Sequence, residues 1–291
     1  MGGGSFTMAS FCDYSIRRGK MVDIDTGFVT RGQTFESRNL DESLSPKNVI
    51  RECCNSKEHP NTLPVILALD VTGSMGTACQ RTAEALGSIM RNLLEKHKKD
   101  DIEFMVMGIG DMECDRAPVQ ASQFESDVRI AEALDKIYME HGGGSNAYES
   151  YSAAWLFGLK QTKLDCFDKQ GKKGVIITMG DEPLNPILRK EAVRGFLGEN
   201  CKVQDDVKTD ELYEQASKKF DIYHISIDDD ATCYSYNKRD IEETFGELLG
   251  DKAKVASINI LPKIIEDCIT ETIKNRGGEN APSLNEGTIK W

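Results

Sequence analysis

Asp70, Thr72 and Ser74 place one carboxylate and two hydroxyls on alternate residues, directly after the apolar run Pro64-Val65-Ile66-Leu67-Ala68-Leu69. Side chains on alternate residues of an extended chain point the same way, so the three oxygens can converge, and Gly73 lets the backbone bend between them. An oxygen-only set suits a hard cation (magnesium, with manganese or calcium as alternatives) in preference to zinc. Turn chemistry is the competing explanation, with Thr72, Gly73 and Ser74 as ordinary turn residues and Asp70 capping the helix that follows.

Three more apolar runs break off in acid. Ile102 to Ile109 leads to Gly110-Asp111, Val175 to Met179 to Gly180-Asp181-Glu182, and Ile222 to Ile227 to Asp228-Asp229-Asp230. Near-continuous apolar strands alternating with helical segments predict a doubly wound α/β fold, a mostly parallel central sheet with helices on both faces. Such sheets bind ligands beyond the carboxyl ends of their strands, where these acids fall. The short run Ala117 to Phe124 carries Pro118 and is predicted to add one antiparallel edge strand.

Helical spacing of Ala83, Leu86, Ile89, Met90 and Leu93 places an amphipathic helix after the first loop. A second is expected over 128–139, ending at Gly142-Gly143-Gly144. A third would open near Ser145, with Asn146 and Glu149 three apart as in a capping box. Later helices are expected over 186–197, 210–220, 239–249 and 262–274.

Composition narrows the function classes. A formal net charge of -12 repels nucleic-acid phosphate, and no basic, aromatic-laced stripe opposes it. No apolar stretch approaches the roughly 20 residues of a membrane span. The opening Met1-Gly2-Gly3-Gly4-Ser5 lacks the basic start and apolar core of a secretory signal. The 9 cysteines include no Cys-x-x-Cys pair, which suits reduced thiols in a cytoplasmic protein.

The chain resembles the von Willebrand factor type A (vWA) domain family over Leu63 to Lys274. That family carries a metal-ion-dependent adhesion site, with a first loop reading Asp-x-Ser-x-Ser. Asp70-x-Thr72-x-Ser74 differs from it by one hydroxyl exchange, Gly143-Gly144-Ser145 resembles the second loop, Gly-Gly-Thr, and Gly180-Asp181 the third. The resemblance implies that Ser74 with Thr72 or Ser145 offers neutral oxygens, while Asp70 and Asp181 act directly or through waters. Incompletely cancelled cation charge would then attract an Asp or Glu presented by a partner protein. Arg51-Glu52, Glu58-His59-Pro60-Asn61 and Cys114-Asp115-Arg116-Ala117-Pro118 are similar, more narrowly, to bacterial and phage proteins carrying this domain. Related domains often serve as adaptors for AAA+ ATPases, so such a partner is implied as well.

Two other classes compete with a non-enzymatic, metal-dependent binding module. A magnesium-dependent phosphohydrolase could use Asp70 as nucleophile, although the haloacid dehalogenase pattern wants a second Asp where Thr72 stands. An assembly role, for instance in a phage particle, would let one subunit's acid fill the next subunit's metal site. The expected organisation is an N-terminal extension over 1–62, partly docked through Phe11, Tyr14, Phe28 and Phe35, the vWA domain over 63–275, and a tail over 276–291.

Overall fold

The computed structural model describes residues 4–32, 34–97, 101–140, 148–229 and 232–276. α1 (Met8–Arg17) starts where the Thr7 hydroxyl accepts from the Ser10 backbone N–H, an N-cap. Its Phe11 drops into an apolar cluster shared with the central sheet. β1 (Met21–Val22) and β2 (Val29–Arg31) pair antiparallel, and β3 (Arg51–Cys53) follows. Lys20 and Asp135, both buried, form an ion pair that Tyr14 joins through its hydroxyl.

β4 (Thr62–Asp70) is buried along its whole length, as a strand covered on both faces must be. After α2 (Gly76–Lys96) come β5 (Asp101–Ile109), β6 (Val119–Ala121) and α3 (Arg129–Lys136). The chain continues through α4 (Ser152–Lys160), β7 (Thr162–Leu164), α5 (Asp165–Asp168) and β8 (Gly174–Gly180). Then follow β9 (Ile187–Leu188), α6 (Lys190–Phe196), β10 (Val207–Lys208), α7 (Thr209–Lys219) and β11 (Phe220–Ile227). α8 (Tyr234–Leu249), β12 (Ala253–Ala256) and α9 (Leu261–Arg276) complete the order.

The central sheet runs β12-β11-β8-β4-β5-β6, parallel throughout except for the antiparallel β5–β6 edge. This is the doubly wound α/β arrangement that the strand pattern predicts. Side chains alternate across it. Leu63, Val65, Leu67 and Leu69 pack with α2, α3 and α9, whereas Ile66 and Ala68 join the cluster of α4, α7 and α8. From β4 the chain winds outward through β5 to β6, then returns to β8 on the other side of β4 and winds away through β11 and β12. The crevice between the carboxyl ends of β4 and β8 is therefore the switch point at which such sheets bind ligands.

Four helix ends differ from the spacing, among them that of α8, which starts at Tyr234 and not at residue 239. α3 stops at Lys136 because buried Gln120 holds the Tyr138 backbone: its Oε1 accepts from Tyr138 N–H at 2.8 Å and its Nε2 donates to Tyr138 C=O at 2.7 Å. α6 starts at Lys190 because Ile187 and Leu188 pair with β10. α4 starts at Ser152, so Glu149 does not close a capping box; it lies in an isolated parallel bridge with Leu184. Ser145 and Asn146 lie outside the described residues.

Candidate metal centre

β4 and β8 are hydrogen-bonded neighbours in register Leu69↔Met179, which sets Asp70 and Asp181 side by side at their carboxyl ends. Past Asp70 the chain turns through a single 3-10 turn, Gly73–Met75, into α2. Asp70 Oδ1 accepts from the Thr72 backbone N–H at 2.9 Å and from its hydroxyl at 2.6 Å, a local turn that fixes the loop. Ser74 Oγ donates to Asp181 Oδ1 at 3.1 Å, so the first and third loops meet. The Cys233 N–H, just before α8, donates to Asp181 Oδ2 at 2.6 Å.

Tyr151, which neither spacing nor periodicity singled out, completes the centre. Its hydroxyl donates to Asp70 Oδ2 at 2.7 Å and accepts from the Glu182 N–H at 3.3 Å. A Cβ on residue 180 would come within 1.9 Å of that hydroxyl, so only glycine lets the ring approach. Glu149-Ser150-Tyr151 belongs to the narrower resemblance to bacterial and phage proteins, but nothing in it pointed to this contact with the glycine ahead of Asp181.

The electrostatics are those of acid held out of water. Asp70 and Asp181 are fully buried, and burial raises both pKa values, that of Asp70 further through the neighbouring Asp181 charge. Glu149 is raised too, by burial first and then by Asp70. Burial and Asp181 push Glu182 up to about 7, and burial takes Asp115 to about 6. Among the described residues no Lys, Arg or His lies in salt-bridge contact with Asp70, Asp111, Glu149, Asp181 or Glu182. One carboxylate oxygen each of Asp111 and Glu149 is buried without a hydrogen-bond partner among the described residues.

These residues fit a hard cation. The donors are all oxygen, Ser74 is only half-buried and so open to the rim, and the surrounding negative charge lacks a counter-ion from the protein. Among the described residues no three acidic, His or Cys side chains gather into a cage by themselves, so hydroxyls and waters would make up the rest of the shell. Ser145, the expected second-loop hydroxyl, lies outside the described residues. Asp70, Thr72, Ser74 and Asp181 are brought together, Asp70 with both oxygens already holding donors and Thr72 with its hydroxyl turned onto Asp70. Asp228 at the end of β11 is exposed.

No protein-family model matches the chain, and no curated protein does. Among solved structures it is similar to the pilus adhesin SpaC of Lactobacillus rhamnosus GG, at 13% identity and a TM-score of 0.48 over 76% of this chain. The open conformation of SpaC gives 11% and 0.47 over 79%. The chain spans about a third of SpaC, 32% and 31% in the two structures. The vWF domain of the type V pili tip protein Mfa5 of Porphyromonas gingivalis gives 12% identity and a TM-score of 0.43, over 77% of this chain and 98% of that one. Likeness at this level carries no argument about function. The fold stands on the strand order and register described above.

Proposed function

We propose that the chain is a protein-binding module gated by a divalent cation, with a vWA-type site in which magnesium is held by Ser74, by Thr72 or Ser145, and by Asp181 and Asp70 directly or through water. One observation carries this reading: the Ser74–Asp181 contact joins the loops after β4 and β8 at the switch point, among buried carboxylates that no described basic side chain neutralises. When bound, the cation would supply an electrophilic position for a partner's Asp or Glu. The chain's own groups do the rest. Tyr151 and Thr72 hold Asp70 still, and the Cys233 N–H orients Asp181. The AAA+ ATPase partner implied by the family resemblance belongs to the same proposal.

The phosphohydrolase reading fares less well on the geometry. Asp70 is fully buried and held by Thr72 and Tyr151, so an ester, far bulkier than a metal ion, has no in-line approach to its carboxylate.

Manganese serves as the test probe, followed through water-proton relaxation. One saturable site is expected, weakened at least tenfold by Ser74→Ala and by Asp181→Asn. Glutarate added to the manganese-loaded protein should displace bound water and lower the relaxation enhancement. Unchanged manganese affinity in both variants would remove the cation from the mechanism.

A further inference from the structure

The opposite end of the sheet carries the opposite charge. A cleft of about 280 Å³ opens at the amino ends of β8 and β11, a strand's length or roughly 25 Å from the acid rim. Four cationic side chains line it: Lys172 and Lys173 ahead of β8, Lys252 ahead of β12, and Arg276 at the end of α9. Among the described residues that line it they face a single carboxylate, Asp221 of β11, in a chain whose net charge is -12. Asp221 is already engaged, 2.6 Å from Lys252 Nζ and 3.9 Å from Lys173 Nζ. Arg276 is anchored by donating Nη2 to the Thr62 carbonyl at 3.1 Å, and its Nε is buried with no partner among the described residues.

We propose that this cleft is an anion site for a phosphate monoester or inorganic phosphate. Excess positive charge gathered in one concavity focuses an anion there, even on a molecule that is acidic as a whole. After Asp221 cancels one cation, the remaining charge exceeds what a monocarboxylate can neutralise, whereas a dianionic phosphoryl group brings charge and several acceptor oxygens together. A guanidinium has five donors in a fixed fork and an ammonium three, so anchored Arg276 sets direction while Lys172 and Lys173 supply mobile charge. Asp221 works against the anion and confines it to the side away from Lys252. The site is independent of any cation at the acid rim.

The test is calorimetric titration of the full chain with inorganic phosphate and with phenyl phosphate, in chelator and at constant ionic strength, with acetate as the monocarboxylate control. Saturable binding of either phosphate is expected; binding of phenyl phosphate alone assigns the site to organic monoesters, and equal binding assigns it to the phosphoryl group itself. The double variant Lys172→Gln/Lys173→Gln should bind at least tenfold more weakly with its fold intact by circular dichroism, and Asp221→Asn should bind more tightly. Absence of saturable binding would overturn the proposal, leaving these cations to serve Asp221 and the carbonyl end of α9. So would acetate binding as well as phosphate, or indifference to the double variant.

Discussion

Gly180 decides how closely Tyr151 can guard Asp70. Gly180→Ala would force the phenol away from a buried carboxylate oxygen, and an unpaired buried group of that kind costs about 1–3 kcal/mol. Loss of that order in urea denaturation is expected. Gly246→Ala in α8, where an added Cβ meets nothing within 4 Å, should instead gain about 0.5–1 kcal/mol. A second residue, His224, titrates far from its usual range. Its ring stacks on Phe245 at 3.5 Å, Nδ1 lies 2.9 Å from Thr178 Oγ1, and Nε2 is buried without a partner among the described residues. Burial takes its pKa from 6.5 down to about 3. Between those values the unfolded chain holds a proton that the folded chain refuses, so this group's stability is complete above pH 6.5 and is lost as pH falls towards 3. The loss amounts to about 1.4 kcal/mol per pH unit at most. His224→Gln should therefore show a shallower acid limb than the parent in urea midpoints measured from pH 7 to 4, and parallel limbs would refute the assignment. At this scale Asp70, Ser74 and Asp181 were legible, because carboxylate and hydroxyl at the end of an apolar run form a local pattern. The hold of Tyr151 on Asp70 was not, since it depends on what faces the ring across the sheet.

Elements were read well where one period governed them and poorly where a distant side chain intervened. The buried strands ending in Asp70, Ile109, Gly180 and Ile227 show near-continuous apolar patterning, interrupted only at places such as Glu103 and His224, and that pattern suffices for a sheet covered on both sides. The end of α3 was not readable in this way, because its last apolar residues keep helical spacing while Gln120 pulls Tyr138 out of the helix. Replacing Gln120 with Leu would strip both hydrogen bonds from a backbone that packs against the edge strand. A loss of about 2 kcal/mol is expected, with faster hydrogen exchange at the Tyr138 amide; unchanged exchange there would show that the helix end has another cause. The start of α4 was misplaced for a related reason: Glu149 bridges to Leu184 before the helix begins, a pairing between segments far apart in sequence.

Across the whole molecule, the segment before β4 is built into the same apolar cluster as the sheet. Phe6, Phe11, Val29 and Leu44 share it with α2 and α3, and the Lys20–Asp135 pair lies over them. Lys20→Ala would leave Asp135 to the half-exposed Arg18 guanidinium, 3.5 Å away, and to the Tyr14 hydroxyl, so a loss of about 1–3 kcal/mol is expected, with faster hydrogen exchange in α1 as well as α3. A change confined to residue 20's surroundings would mean that α1 is held by its phenylalanines alone. The two charged ends have a consequence of another kind. With Asp70, Asp181 and Glu182 at the carboxyl ends of β4 and β8 and Lys172, Lys173 and Lys252 around the amino ends of β8 and β11, the strand direction through this part of the sheet is also an electrical axis. At low salt the molecule would approach any charged body pole first, settling rim-down on a cationic matrix and cleft-down on an anionic one, so that two resins of opposite sign would present opposite faces to solvent.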